Sequence, residues 1–281
     1  MKDMMKAKAL LLLLATLAFG VAPFVTPPFT GYDPGLFPVR IERPSIQPAG
    51  YAFSIWSVIY LWLIAHAVYG LWKRATNPAW DVVRLPLSVA VAVGAVWLSI
   101  AGVSPLWGTV TIWIMAAGAI FAFLRADTSA NVPETTPSPV SREEDELIHR
   151  VMLEANSSFV SRSVRSVREL RITNRWMLSG PTAIFAGWLS AAAAVSTGVF
   201  IAGYGWLSDT QSAAAMLALV LGIAVTVQMR RPAMPVYGLT VIWALVGVIV
   251  ANASANVTVA VLAASGIAVM AVTLWANRRS A

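Results

Sequence analysis

The sequence predicts an all-α polytopic membrane protein, a helical bundle of about eight transmembrane helices. Three observations carry that prediction. Of the 281 residues, 58% are hydrophobic and 12% charged, with a mean hydropathy of +0.71, a balance that leaves too few charges for a soluble globule. Stretches near the spanning length of about 20 residues occur at 8–26, 51–71, 86–103, 106–124, 181–204, 212–228, 234–250 and 256–275. The basic residues also sort by loop: assigning alternate loops to one side collects every lysine and arginine there except Arg40 and Arg43. Positive side chains resist translocation, so both termini are expected in the cytoplasm and the number of spans is even. The net charge of +7 and pI near 10.1 therefore report topology, and no nucleic-acid partner is expected. The expected location is a bacterial inner (cytoplasmic) membrane.

The first stretch follows a basic start, "MKDMMKAKALLLLLATLAFG", and has the outline of a signal peptide with Ala18-Phe19-Gly20 as a cleavage site. Its apolar run continues through Val21, Ala22, Phe24 and Val25 to a spanning length, so it is expected to be retained. Residues 27–50, "PPFTGYDPGLFPVRIERPSIQPAG", are too rich in proline and glycine for a regular helix. They are expected outside, as a restrained lid over the helix ends.

The second stretch, 51–71, is read as one helix. At about 100° per residue, Phe53, Trp56, Tyr60, Ile64 and Ala67 share one stripe, while Trp62, His66 and Tyr69 form another, roughly opposite. Bulky amphipathic rings on both sides argue for a central helix, with one stripe facing a cavity and the other packing. The third and fourth stretches meet so closely at Gly102–Pro105 that their boundary is soft.

Residues 127–140 are a polar Ser/Thr/Pro linker. Ser141-Arg142-Glu143-Glu144 then fits a capping box, and Leu147, Ile148, Val151, Met152 and Ala155 follow helical spacing, which predicts a cytoplasmic amphipathic helix. Arginines at 162, 165, 168, 171 and 175 would meet anionic headgroups, at about 1 kcal/mol per charge near the surface; a partner-binding segment is the alternative. The remaining four stretches complete the bundle. No repeat relating the two halves is visible, and the absence of cysteine excludes disulfide and thiol chemistry.

Tryptophan at span ends is ordinarily an interfacial anchor, a role that suits Trp72, Trp80, Trp206 and Trp275. Trp56, Tyr60, Trp97, Trp113, Trp188 and Trp243 sit well inside their spans, where they either pack helices together or line an aromatic pocket.

"AGYAFSIWSVIY" resembles the signature at the start of the second helix in the translocator protein or tryptophan-rich sensory protein (TspO/MBR) family, approximately W-x-F-G-P-x-W-T-x-L-Y. Phe53, Trp56 and Tyr60 stand at its aromatic positions. Tyr51 replaces the first tryptophan, Ser54-Ile55 the Gly-Pro pair and Ser57 the threonine. "AVWLSIAGVSPLWGTVTIWIMAAGAIFAFLRA" is similar in layout to the family's third and fourth helices, with Trp97 as the third-helix tryptophan. "GPTAIFAGWLSAAAAVSTGVF" is similar to the fifth, with Trp188 at its tryptophan and Ser196 in place of an asparagine.

The resemblance covers roughly residues 8–205. It implies a TspO-like five-helix core plus three extra helices: residues 1–124 as the first four spans with lid 27–50, 125–178 as a cytoplasmic insertion, 179–205 as the fifth core span and 206–281 as three additional spans. Members of the family bind porphyrins, haem and sterols in a pocket formed by the helices and capped by the loop after the first. That implies a ligand site of Phe53, Trp56, Tyr60, Trp97 and Trp188, with Arg40 or Arg43 in the lid meeting a propionate. The departures from the signature bear on which ligand is taken.

His66, the one histidine in a span, has a lone pair that could ligate haem iron. Its place near the cytoplasmic end, on the stripe opposite Trp56, favours instead a hydrogen bond to a neighbouring helix or to headgroup water. No other metal ligand or required cofactor is expected, with a tetrapyrrole entering only as a ligand. The eight stretches hold no Asp, Glu or Arg, which argues against ion-coupled transport and against acid–base catalysis in the bilayer. The expected function is thus a non-enzymatic membrane binding protein or sensor for a flat hydrophobic ligand, a tetrapyrrole or sterol, that also moves it across or within the membrane in one version. The alternatives are a transporter of an uncharged lipid-like substrate and a structural or assembly subunit. Expected partners are that ligand, membrane lipids, and a second copy or a larger membrane complex.

Overall fold

The computed structural model of the chain describes residues 1–27, 29–126 and 172–280. Among the described residues eight α-helices follow one another: α1 (Lys2–Val25), α2 (Ile55–Lys73), α3 (Pro78–Val103), α4 (Pro105–Arg125), α5 (Gly180–Gly203), α6 (Asp209–Arg230), α7 (Val236–Asn252) and α8 (Val257–Ser280). Seven helical segments are long and apolar enough to cross a membrane; α7, at 17 residues, is the shorter exception. Continuous helices suit this setting, because hydrocarbon offers no partner for a free backbone N–H or C=O. The expected amphipathic helix from Ser141 and the arginines at 162, 165, 168 and 171 lie outside the described residues. Arg175 is described and exposed.

Local chemistry sets the helix boundaries. Asn77 accepts hydrogen bonds from the N–H groups of Ala79 and Trp80, at 3.0 and 3.4 Å, with Pro78 at the first helical position of α3. That start lies eight residues before the stretch read from hydropathy and brings Asp81 and Arg84 into the helix. The soft boundary between the third and fourth stretches falls on Ser104, which ends α3 and caps α4 ahead of Pro105. A capping box between Ser208 and Gln211 opens α6. The second stretch is not one helix: Gly50–Ser54 is a 3₁₀ turn, so Phe53 precedes α2.

The helices close two rings that share α5. In the first, α1 packs on α2, α2 on α5, α5 on α4, α4 on α3, and α3 returns to α1. In the second, α5 packs on α6, α6 on α8, α8 on α7, and α7 returns to α5. The neighbour relations α1 with α2 and α3, and α3 with α4, thus recur as α5 with α6 and α7, and α7 with α8.

Of the long segments, the one holding α5 has 72% of its most apolar window buried, against 28–44% for the others. Its Ala, Gly and Ser residues allow that, because small side chains let neighbouring backbones come close. At Gly187 a Cβ would lie 2.7 Å from the Tyr237 carbonyl of α7 and 2.9 Å from Thr240 Cβ. Only glycine permits this approach.

The centre of the bundle is therefore α5 and not α2, correcting the expectation from the aromatic stripes. Val58, Leu61 and Trp72 of α2 are exposed. Both stripes are nonetheless covered. Trp62 stacks on Trp176 and donates its Nε1–H to the Trp176 carbonyl at 2.8 Å, and His66 stacks on Trp80 at 4.9 Å. The lipid-facing side of α2 is a third face that the two-stripe reading did not separate.

Trp80 is a second correction. It is 1% exposed and donates its Nε1–H to Asn174 Oδ1 at 3.3 Å, so it is a core residue, whereas Trp72, Trp206 and Trp275 are exposed at helix ends as expected. Trp80 entered the core because α3 starts early and carries it under α2. Beside it, Arg84 donates to the carbonyls of Met5, Ala75 and Arg74 and to Asp81, which also pairs with Lys8 at 2.9 Å. Arg84 is thus a buried cross-link between α1, α3 and the turn at 74–77.

Candidate functional site

Inside the first ring lies an apolar cavity of about 190 Å³, and five side chains expected to form a site, Phe53, Trp56, Tyr60, Trp97 and Trp188, all line it. They come from the 3₁₀ turn before α2, from α2, from α3 and from α5. One face of α2 supplies Trp56 and Tyr60, four residues apart and stacked at 5.4 Å and 19°. Trp188 meets Phe53 edge-on at 5.7 Å and Trp56 edge-on at 6.1 Å. From α1, Phe19 sets its edge against Tyr60 at 4.9 Å. Trp97 is held by a hydrogen bond from its Nε1–H to the Gly108 carbonyl at 2.9 Å. The opposite stripe packs, as expected, and His66, 1% exposed, donates its Nδ1–H to the Met177 carbonyl at 2.6 Å. It lines neither this cavity nor its neighbour.

A second cavity, of about 70 Å³, lies between the lid, α5, α6 and α7. Phe29, Phe53, Trp97, Ile112, Trp188 and Ala192 belong to both walls, so an aromatic partition divides the two spaces. Trp188 is 2% exposed and its Nε1–H has no hydrogen-bond partner among the described residues. Across the second cavity, the Tyr32 hydroxyl hydrogen-bonds Ser196 at 2.7 Å, and Ser196 hydrogen-bonds Thr109 at 2.8 Å. Burial pushes the Tyr32 phenol above its ordinary value, opposed in part by those two hydroxyls. Ser196, where the family resemblance expects an asparagine, is the link in this chain of hydroxyls.

Residues 29–50 cover both cavities and are fastened to the second ring. Val39 donates its N–H to the Gly203 carbonyl, Ala49 to the Gly247 carbonyl, each at 2.9 Å, and Trp243 Nε1–H to the Ala52 carbonyl at 3.0 Å. Ser45 donates its N–H to Asp209 at 3.0 Å and its hydroxyl to the same carboxylate. Asn252 and Asn256 reach the Ser45 carbonyl and hydroxyl at 2.7 and 3.0 Å. A restrained lid was legible from its prolines; its attachment to α6, α7 and α8 was not. The available signal was Asp209, the sole acidic residue after Glu169.

Arg40 and Arg43 are exposed on the lid and line neither cavity. The structure therefore does not bring them to the aromatic residues. Sequence reasoning missed Phe19, Phe29 and Tyr32, which lie outside the quoted signature and reach the cavities from α1 and the lid. Among the described residues, no group of three His, Asp or Glu side chains is placed to hold a metal ion.

A family model described as TSPO-like protein matches the chain twice, at residues 9–138 and 147–276. The second match reaches past the roughly 8–205 covered by the resemblance and takes in α6, α7 and most of α8, and a double match is what the recurring neighbour relations of the two rings would give. No curated protein and no solved structure gives a significant match.

Proposed function

The chain belongs to the TSPO-like protein family and is a membrane protein with helical spans, and from that premise we propose that it is a binding protein for a flat hydrophobic ligand of the tetrapyrrole or sterol class. The observation that carries this reading is the convergence of Phe53, Trp56, Tyr60, Trp97 and Trp188 on one lidded apolar cavity. Flat polycyclic molecules are held by stacking and edge contacts with indole and phenol rings, each pair adding about 0.5–1.5 kcal/mol beyond its buried area. Trp188, edge-on to both Phe53 and Trp56 and with no hydrogen bond to break among the described residues, can admit a flat guest by rotating about χ1 and χ2.

The test is quenching of tryptophan fluorescence by protoporphyrin IX and by haem, and its reversal by a competing uncharged sterol. It compares the wild-type protein with a Trp56→Ala, Tyr60→Ala double variant whose helical circular dichroism is unchanged. Saturable quenching that the double variant loses is expected. Quenching that rises linearly and equally in both proteins would return these rings to a packing role.

A further inference from the structure

We infer that the two cavities are chambers of one site, whose occupant is an uncharged, mostly apolar molecule with one hydrogen-bond acceptor that meets the indole N–H of Trp188. The inference rests on the ligand-binding reading above, selects within it the uncharged, sterol-like members over the carboxylate-bearing tetrapyrroles, and extends the site into α6 and α7, which that reading does not use.

The partition is made of side chains that can move. Among the described contacts, Phe29, Phe53 and Trp188 are held only by ring and van der Waals contacts, Phe29 against Tyr32 and Trp97 and Phe53 against Trp188. A change of rotamer at Phe53 or Trp188 opens one chamber to the other. Size gives the reason to expect it: at about 190 and 70 Å³, each chamber falls short of the about 300 Å³ at which small-molecule sites begin, and joined they approach it.

Trp188 supplies the polar end of the argument. A buried indole N–H ordinarily finds an acceptor, and this one, on the wall shared by both chambers, has none among the described residues. The other buried side-chain atoms without partners, Arg74 Nε and Ser88 Oγ, belong to residues outside both walls. Tyr32 and Ser196, Ser196 and Thr109, and Gln47 Nε2 and the Thr30 carbonyl are paired, which leaves Trp188 Nε1–H as the buried side-chain polar atom of these walls that has no partner among the described residues. One free donor calls for one acceptor.

Charge then narrows the class. Among the described residues neither wall contains a charged side chain, and Arg40 and Arg43 are exposed beyond both. A carboxylate drawn into either chamber would be a buried ion without a counter-ion, a far larger penalty than an unmet indole N–H. A ketone, ether or ester oxygen satisfies Trp188 without that penalty.

Three probes built on one flat ring system separate the possibilities in the full-length detergent-solubilised protein: 9-fluorenone, fluorene and fluorene-9-carboxylate, measured by isothermal titration calorimetry. The ketone is expected to bind about five- to tenfold more tightly than the hydrocarbon, the span of one net hydrogen bond, with the carboxylate weakest. Trp188→Phe keeps a ring and removes the donor, so the ketone and hydrocarbon should become equal. Ala244→Leu adds three carbons to a wall of the second chamber alone and should weaken the ketone.

Equal affinities for ketone and hydrocarbon in the wild-type protein overturn the inference before any variant is made. Tightest binding of the carboxylate overturns it too. Binding lost in Trp56→Ala, Tyr60→Ala but untouched by both Trp188→Phe and Ala244→Leu overturns it while leaving the first cavity as the site. No saturable binding of any probe removes the site and the inference together.

Discussion

Ser45 in the lid and Asp209 at the start of α6, 164 residues apart, are joined through both the backbone N–H and the side-chain hydroxyl of Ser45. The carboxylate also sits in the first turn of α6, where the helix dipole favours a negative charge. One side chain thus fixes a helix start and the loop that roofs both cavities. Asp209→Ala should cost about 1–3 kcal/mol, and amide hydrogen exchange should rise in residues 43–49 well before it rises in α5. Unchanged protection there would mean the backbone bonds at Val39 and Ala49 hold the lid without Asp209.

Phe37 tests the lid from its other end. A Cβ at Gly203 would overlap its buried ring, so Gly203→Ala should destabilise by about 1–3 kcal/mol, the usual cost of overpacking. In a Phe37→Ala background the same substitution should cost much less. Thermal unfolding of the two single variants and the double variant gives the coupling; simple additivity would place the strain elsewhere.

Trp80 and Trp72 lie eight residues apart in sequence and far apart in consequence. Trp80→Ala removes a ring stacked on His66 at 4.9 Å and should cost about 3–5 kcal/mol. Trp72→Ala, at a residue 76% exposed, should stay within about 0.5 kcal/mol. Equal unfolding midpoints would contradict the buried placement.

Arg84 donates to three carbonyls and one carboxylate from a single planar fork. Lysine carries the charge without the fork, so Arg84→Lys is expected to lose much of the stability that Arg84→Met loses. Full rescue by lysine in the same unfolding assay would show that charge alone matters there.

The Tyr32 phenol is raised by burial. A raised value means that the folded state favours the neutral form. Its contribution is complete below the ordinary value near 10 and declines as the pH climbs from there through the raised one. The stability difference between wild type and Tyr32→Phe should be constant from about pH 7 to 9 and change against the wild type above about pH 10. A difference flat across that range would mean the hydroxyl is open to solvent.

How far the site could be read in advance depended on residue class. Trp56 and Tyr60 follow from helical spacing, because three or four residues bring side chains onto one face whatever surrounds them, whereas Phe53 reaches the same cavity from the 3₁₀ turn before α2. Trp97 and Trp188 needed the family resemblance, since nothing local ties α3 and α5 to α2. The central helix was misassigned because bulk drew attention to α2, while the true centre, α5, is marked by small residues whose value shows only against a neighbour, as at Gly187.

The sequence by itself determined that the chain is a helical membrane protein and roughly which segments are long and apolar enough to cross, because hydropathy is a property of single segments. It also determined which face of α2 carries rings. The tertiary structure alone decided that α5 is shared by two rings, that Trp80 and Arg84 are buried, that Arg40 and Arg43 stand away from the cavities, and that α6, α7 and α8 hold the lid. Those facts depend on contacts between residues as far apart as Ser45 and Asn256, and a contact at that separation is set by the packing of whole helices, which no local pattern records.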